Sequence, residues 1–290
     1  MIVSDKTVIV TGASGFIGSH LINRLLGLDF KIIAVTRTLK NRENDKLVWI
    51  EWDCLDDYLI NEFITPMAII HLSTAYGKND ESYSSLEVAN VLLPLQLLEL
   101  AVKHGINKFI NTDSYFGKPE FDYQHMKPYV NTKNSFVKWG ELISEKGSLQ
   151  FFNMRLEHVY GPGDGEGKFI PYIVQSLMNN KAYVECTDGM QKRDFIYVDD
   201  VVSAYITILN ATLDVKFLEF EVGVGVSITV REFIEKIKNN IPNTKSRVMF
   251  GAIPQRYNEI MDSKANTAAL KSLGWTPAYD VDSGIFNLLR

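Results

Sequence analysis

The sequence predicts an α/β fold: a doubly wound parallel sheet with a smaller C-terminal α/β lobe. Three observations predict it. Short apolar runs of strand length recur through the first half and alternate with helix-length amphipathic stretches. A glycine-rich turn, Thr11 to Ser19, joins the first apolar run to the first helix. Beyond Arg155 the alternation gives way to glycine-rich loops and shorter helices. With 290 residues, 46% of them hydrophobic, the chain can bury a substantial core. A net charge of −5 and no basic block disfavour nucleic acid as a partner. The two cysteines, Cys54 and Cys186, form no Cys-x-x-Cys pair, so neither a disulfide framework nor a metal site is expected. Asp5 and Lys6 precede any long apolar run, which leads us to expect no signal peptide and a cytoplasmic chain. The stretch Val91 to Val102 contains Pro94, Gln96 and Glu99, and reads as a buried helix rather than a membrane span.

Thr7 to Val10 is the first expected strand, and Phe16 to Ile22 opens the first helix. Between them Gly12, Gly15 and Gly18 sit at Gly-x-x-Gly-x-x-Gly spacing. Gly12 permits a tight turn, Gly15 a close approach to a pyrophosphate, and Gly18 the packing of helix on strand. The helix N-terminus adds unpaired N–H groups and the positive end of its dipole. The spacing differs from the usual Gly-x-Gly-x-x-Gly fingerprint; strand, turn and helix together read as a phosphate cradle, the alternative being a glycine-rich turn without ligand. Lys31 to Val35 is the second strand. At its end, where an acid would accept from the 2′-hydroxyl of NAD, stand Thr36, Arg37 and Thr38, with Lys40 and Arg42 nearby. This favours NADPH, with Arg37 as the main contact to the 2′-phosphate; the alternative is a solvated basic loop. The third strand, Leu47 to Trp52, ends at Asp53, which can accept from the adenine amino group or simply close a turn. Ala68 to Leu72 is the fourth, followed by the small residues Ser73, Thr74 and Ala75, which leave room for a ligand. His71 reads as a packed core histidine. Ser84 to His104 is a long amphipathic helix stopped by Gly105, and Lys108 to Thr112 is the fifth strand.

Tyr129 and Lys133 carry the expected chemistry. At i and i+4 on a helix they share one face, and Pro128 suits that helix's first turn. A phenol near pKa 10 is a poor acid–base group at neutral pH. A neighbouring Lys133 ammonium and a nicotinamide cation would favour the phenolate and lower that value. Lys133 can also hold the nicotinamide ribose. Thr112 can hydrogen-bond a substrate oxygen and hold it against Tyr129. The set suits hydride transfer at a carbinol carbon.

Phe151 to Arg155 is the sixth strand, and residues 157–165 leave the sheet as a glycine-rich loop. Further helices are expected at Phe169 to Asn179, Ile196 to Asn210 (opened by Asp199 and Asp200), Thr229 to Asn239 and Lys264 to Leu273, with Pro242 and Pro254 breaking the tail. The expected division is a dinucleotide-binding domain of 1–157 with 193–225. The second lobe is 158–192 with 226–290, covering the mouth of the sheet.

The run Thr11-Gly12-Ala13-Ser14-Gly15-Phe16-Ile17-Gly18, then His71-Leu72, Asn90, Thr112, Tyr129 with Lys133, Val159-Tyr160-Gly161-Pro162-Gly163, Arg193 to Asp200 and Leu273-Gly274-Trp275-Thr276-Pro277 together resemble the extended short-chain dehydrogenase/reductase family. That group comprises nucleotide-sugar epimerases, dehydratases and reductases, and members form dimers through a four-helix bundle. Here Val91–Val102 and Thr132–Leu142 would make it. The resemblance implies a dinucleotide site built from Gly12, Ser14, Gly15, Phe16, Ile17, Gly18, Arg37, Asp53, Cys54, Leu72 and Ser73 with Tyr129 and Lys133. It implies substrate contacts at Tyr76, Asp113, Ser114, His158, Phe169, Arg193 and Arg256, with the two arginines clamping a diphosphate.

The runs Asn111 to Ser114, Tyr123 to Met126, Asn153 to Glu166 and Phe250 to Ile253 look most like family members that reduce C4 of a CDP-4-keto-3,6-dideoxyhexose in the synthesis of O-antigen deoxysugars. Dehydratases of the family follow the threonine with Asp-Glu, whereas Asp113-Ser114 stands here. Epimerases often carry Asn where this chain has His158. The resemblance leaves open a reductase of dTDP-4-keto-6-deoxyglucose giving dTDP-fucose, an epimerase with tightly bound NAD, and a non-catalytic NADPH sensor. The nucleotide base, the sugar's 3-substituent and the face of hydride attack are not fixed by these residues.

Overall fold

The computed structural model describes residues 2–3, 6–37, 44–77 and 81–290. Thr38, Lys40 and Arg42 of the expected basic loop lie outside the described residues. The chain divides into two compact units. The first holds residues 1–117, 126–155 and 205–220, and the second 118–125, 156–204 and 221–290. Residues 118–125, 156–157, 193–204 and 221–225, expected with the dinucleotide domain, thus fall in the second unit.

A seven-stranded sheet forms the first unit. We number its strands β1 Thr7–Thr11, β2 Lys31–Thr36, β3 Leu47–Glu51, β4 Ala68–His71, β5 Lys108–Ser114, β6 Gln150–Leu156 and β7 Phe217–Val222. Their order is β7-β6-β5-β4-β1-β2-β3. The pairs β1–β2, β2–β3, β1–β4 and β4–β5 are parallel. At the far edge the amides of Phe151 and Glu157 donate to the carbonyls of Lys216 and Val222, a constant offset that makes β6 and β7 parallel as well. This is the doubly wound Rossmann-type sheet, and its order reverses between β1 and β4. Val8, Ile9 and Val10 are each fully buried because both faces of the sheet are covered, which is why β1 reads as an unbroken apolar run. Strand β7 was not foreseen: Phe217-Leu218-Glu219-Phe220-Glu221-Val222 alternates apolar and acidic residues, as an edge strand does.

Four helices accompany the sheet: α1 Phe16–Gly27, α2 Leu55–Asn61, α3 Tyr83–Lys103 and α4 Lys127–Lys146. Of these, α2 was not expected. Helix α3 contains a π-helical stretch, Val88–Leu92, just before Pro94. Proline has no N–H to give the carbonyl four residues back, and its ring crowds that carbonyl, so the chain widens there. Among the described residues α3 alone is long and apolar enough to cross a membrane. It was expected to be buried, and 33% of its apolar window is. Leu86, Leu97, Leu98 and Ala101 point into the core, while Val88, Leu92 and Val102 are exposed. Phe109, Phe136 and Phe151 pack between sheet and α4, with Phe109 and Phe151 stacked at 5.5 Å. Helix α4 comes this close because Gly140 has no side chain: a Cβ there would stand 2.3 Å from the Phe151 ring.

In the second unit His158–Tyr160 pairs in parallel with Phe195–Tyr197, so the expected glycine loop contains a short strand. Phe195 also stacks on Phe233 at 3.8 Å. The helix expected from Ile196 begins instead at Val198, after that strand. Val230–Asn240 starts on a capping box between Thr229 and Glu232. The expected helix from Lys264 shrinks to Ala268–Ser272. Upstream of it the chain is committed to buried carboxylates: Ser263 Oγ donates to Glu157, and Ala265 N to Asp194 Oδ2 at 3.0 Å. An unforeseen helix, Val281–Leu288, is capped by Asp280. Lys118 is buried with its ammonium on Glu157 (2.7 Å) and Glu221 (2.8 Å).

Candidate active site

The sheet registers bring five strand ends to one edge. Thr11 lies opposite Val35 and His71, Thr36 opposite Glu51, and His71 opposite Asn111. The predicted dinucleotide residues follow these ends directly: Gly12 to Gly18 after β1, Arg37 after β2, Asp53 and Cys54 after β3, Leu72 and Ser73 after β4. Gly12 has φ +64°, and a Cβ on it would lie 2.7 Å from Ser73 N. A Cβ on Gly18 would lie 2.2 Å from Gly12 O. The two glycines therefore let the turn close onto both the β4 loop and α1. Gly15 is the N-cap of α1, and no side chain caps that helix. A turn closed this tightly, ending on a helix N-terminus without a side-chain cap, fits a pyrophosphate. Arg37, Asp53, Cys54 and Ser14 are exposed, and Phe16 and Ile17 half-buried.

Tyr129 and Lys133 share the buried face of α4. The Tyr129 ring stacks on Tyr76, centroids 5.2 Å apart. Burial, with Tyr76 and Asp113 adding to it, holds the phenol well above the usual tyrosine value, against hydrogen bonds from the Thr74 and Ser114 hydroxyls. The expected lowering by Lys133 is not seen. The ammonium is turned to Thr112 O, to which Nζ donates at 2.8 Å, and loss of water outweighs any cation. Burial lowers Lys133 itself to about 8. His71 is a core histidine, packed between Phe109 and Phe136 with Nδ1 bonded to Thr11 Oγ1. Burial, then the Lys133 charge, lowers it to about 3, so the ring is neutral.

Two of the expected substrate contacts have partners within the protein. Thr112 Oγ1 donates to His71 O at 2.7 Å and bonds the Tyr205 hydroxyl at 2.6 Å. Asp113 points to the opposite face of β5, as strand alternation requires, and accepts from Asn153 and from Arg155 Nε at 3.2 Å. Ser114 returns to the face of Thr112 and reaches the phenol.

The remaining predicted contacts lie in the second unit. Arg193 is buried and donates to Lys192 O, Ile260 O and Glu259 Oε1. Arg256 is exposed and donates to the Tyr123 hydroxyl at 2.9 Å, which in turn donates to Glu259 Oε2. The two arginines are thus joined through Glu259 and Tyr123. His158 packs on Phe195, and burial with the Arg193 and Lys168 charges brings it down to about 3. Phe169, first residue of the helix Phe169–Met178, is partly exposed.

The sequence profile of the NAD dependent epimerase/dehydratase family matches residues 8–223. The chain belongs to that family. Within it, the chain is 46% identical to a protein named CDP-abequose synthase from Salmonella typhimurium, over 98% of this chain and 97% of that one. A second CDP-abequose synthase, from Salmonella muenchen, is 39% identical over the same shares. Among solved structures, MoeE5 in complex with UDP-glucuronic acid and NAD superposes with a TM-score of 0.84, 24% identity and 98% of this chain covered. The expected resemblance holds, and the chain is a nucleotide-sugar-modifying enzyme of this family.

Several residues of the site were not singled out from sequence. Asn90 was noted only as a mark of the family. It is buried in the π stretch of α3, where Nδ2 donates to Ala75 O (2.8 Å) and Thr132 Oγ1 (3.0 Å), and Oδ1 accepts from Ala75 N (2.8 Å) and Thr74 Oγ1 (3.3 Å). It fastens the β4 loop to the tyrosine helix. Pro94, four residues on, was the available signal for that π stretch. Thr74, Tyr205 and Glu259 carried no local signal. Tyr123 lay within a quoted run without a role.

Proposed function

We propose that this enzyme reduces the C4 keto group of a nucleotide-activated 4-keto-deoxyhexose with NADPH, of the type that converts CDP-4-keto-3,6-dideoxyglucose to CDP-abequose. The observation that carries this reading is the full-length similarity, 46% identity, to a CDP-abequose synthase. The buried Tyr129–Lys133 pair supports it. A phenol held above its usual value stays protonated at neutral pH, which suits an acid that protonates an oxygen. The exposed Arg37 after β2, with no acid at that strand end, supports NADPH over NADH.

The Gly12–Gly18 turn would hold the pyrophosphate of a dinucleotide, which would supply the hydride for the carbonyl carbon. Tyr129 gives its proton to the carbonyl oxygen as that oxygen gains charge. Lys133, held by Thr112 O, stabilises the phenolate that remains. Arg256, oriented by Tyr123, binds the substrate diphosphate, and His158 stays a neutral contact to the sugar. The exposed Val88 and Leu92 of α3 and Trp139 and Leu142 of α4 form an apolar face suited to a homodimer.

The test is NADPH oxidation with a panel of CDP-, dTDP-, UDP- and GDP-4-keto-6-deoxy sugars, with product stereochemistry read by NMR. Turnover with the CDP sugar supports the reading. Turnover with the dTDP sugar alone points to a dTDP-fucose-forming reductase. Copurified NAD with no net NADPH consumption points to an epimerase.

A further inference from the structure

Thr112 is the hydroxyl expected to meet a substrate oxygen, and two groups hold it. Its Oγ1 donates to His71 O at 2.7 Å and bonds the Tyr205 hydroxyl at 2.6 Å. A carbonyl oxygen only accepts, so His71 O takes the Thr112 proton and Tyr205 donates to Thr112 Oγ1. Tyr205 is fully buried in the helix Val198–Asn210, and His71 ends β4. Thr112 is half-buried, so a ligand meets Thr112 and not Tyr205. Burial holds the Tyr205 phenol well above the usual tyrosine value, so at neutral pH it keeps the proton that it donates. The Thr112 side chain is stiff, being β-branched, and Tyr205 closes on its oxygen. What turns readily is the hydroxyl proton about its C–O bond.

We propose that Tyr205 is a positioning residue for the catalytic hydroxyl of Thr112: its bond fixes Thr112 Oγ1 while the Thr112 proton turns from His71 O to the substrate oxygen. The proposal rests on the ketoreductase reading. At rest the Thr112 proton lies on a neutral carbonyl. As hydride reaches the keto carbon, the substrate oxygen gains negative charge. A hydrogen bond to that oxygen is stronger than one to a neutral carbonyl. The Thr112 proton therefore changes acceptor as charge develops and stays on Oγ1, while Tyr129 transfers its own proton. Tyr205 donates to Oγ1 throughout. This keeps the oxygen in place and, as in any chain of hydrogen bonds, strengthens Thr112 as a donor. Lys133 holds the other end of the same residue, Nζ donating to Thr112 O at 2.8 Å.

The experiment compares Tyr205→Phe, Thr112→Val and the double variant in the full chain, with kcat and KM for the keto sugar that wild type turns over. Tyr205→Phe removes one hydroxyl and keeps the ring. It should lower kcat by about 10- to 100-fold, the cost of a catalytic group held out of place, with KM and NADPH affinity near wild type. Thr112→Val removes the donor itself and should cost about 100- to 1000-fold in kcat. In the double variant the Tyr205 bond has nothing left to hold, so kcat should match that of Thr112→Val to within about 2-fold. A readout without turnover is the Tyr205 hydroxyl proton, followed by NMR of tyrosine-labelled protein and assigned with Tyr205→Phe. It should stand downfield in wild type and move upfield in Thr112→Val. The proposal is overturned if Tyr205→Phe melts earlier yet keeps full kcat, as a purely structural tyrosine would. It is equally overturned if the two losses multiply in the double variant, or if Thr112→Val leaves the hydroxyl proton in place. If the wild-type chain reduces none of the keto sugars, the ketoreductase reading fails, and the hydroxyl proton still decides whether Tyr205 donates to Thr112.

Discussion

Tyr76 lies on Tyr129 as a lid, the two rings 5.2 Å apart and 20° from parallel. One ring is buried and the other is 40% exposed, so Tyr76 is what separates the phenol from water on that side. Burial is the largest cause holding the Tyr129 phenol up. Tyr76→Ala should therefore lower its pKa, read by fluorine NMR, and cost about 1 kcal/mol in urea unfolding for the lost aromatic pair. The sign follows from linkage. A phenol raised in the folded state contributes stability that is complete below the unfolded value near 10. That contribution is lost as pH rises through the folded value. Tyr76→Ala narrows the gap, so the variant should lose less stability than wild type on going to alkaline pH.

Two glycines separate binding from stability. A methyl at Gly18 would stand 2.2 Å from the Gly12 carbonyl, in the turn proposed to hold the dinucleotide. A methyl at Gly140 would stand 2.3 Å from the Phe151 ring, between α4 and the sheet. Both overpack by about 1–3 kcal/mol or more. Gly18→Ala should also abolish NADPH fluorescence titration at concentrations that saturate wild type. Gly140→Ala should bind NADPH with wild-type affinity and melt earlier.

Arg37 is the described cation at the end of β2. If it meets the 2′-phosphate, Arg37→Ala removes a charge-assisted bond of about 1.5–3 kcal/mol. NADPH affinity should then fall by about 10- to 100-fold, with NADH affinity changed little. Equal loss for both dinucleotides would remove Arg37 from that role.

The inner strands of the sheet were legible because both its faces are covered, which makes them apolar runs, whereas the edge strand β7 alternates and was missed. The glycine turn was legible because the close approach of Gly12 to Ser73 and of Gly18 to the Gly12 carbonyl leaves no room for a side chain. Tyr129 and Lys133 were legible because one helical turn separates them. What stayed hidden depends on tertiary placement. The bond from Thr112 to the His71 carbonyl, 2.7 Å, could not be read from sequence. Nor could the bonds that Arg193 makes to Ile260 O and Glu259. Lowering of the Tyr129 phenol by Lys133 was argued from sequence proximity, and burial, which spacing does not report, outweighs it.

Asn90 uses both amide hydrogens and both carbonyl lone pairs on partners inside the first unit. Asn90→Ala leaves the Ala75 amide and carbonyl without these bonds, at about 1–3 kcal/mol for each buried group unmade. Melting temperature and kcat should both fall, since the loop carrying Thr74 and Tyr76 loses its tie to α4. Asn90→Asp keeps the acceptors and loses the donors to Ala75 O and Thr132. It should fall between Ala and wild type in kcat.

Glu157 makes the second unit sensitive to pH. Burial pushes its carboxyl up to about 7, against the opposing pull of Lys118 and Ser263. A carboxyl raised in the folded state binds its proton there after the unfolded chain has released it. Its stabilising contribution is thus complete below the unfolded value of about 4.3 and is lost as pH rises through about 7. Glu157→Gln removes this titration and leaves Lys118 its bond to Glu221. In urea unfolding across that window, wild type should lose stability relative to Glu157→Gln as pH rises. Parallel pH profiles for the two proteins would show that the Glu157 proton is not linked to folding.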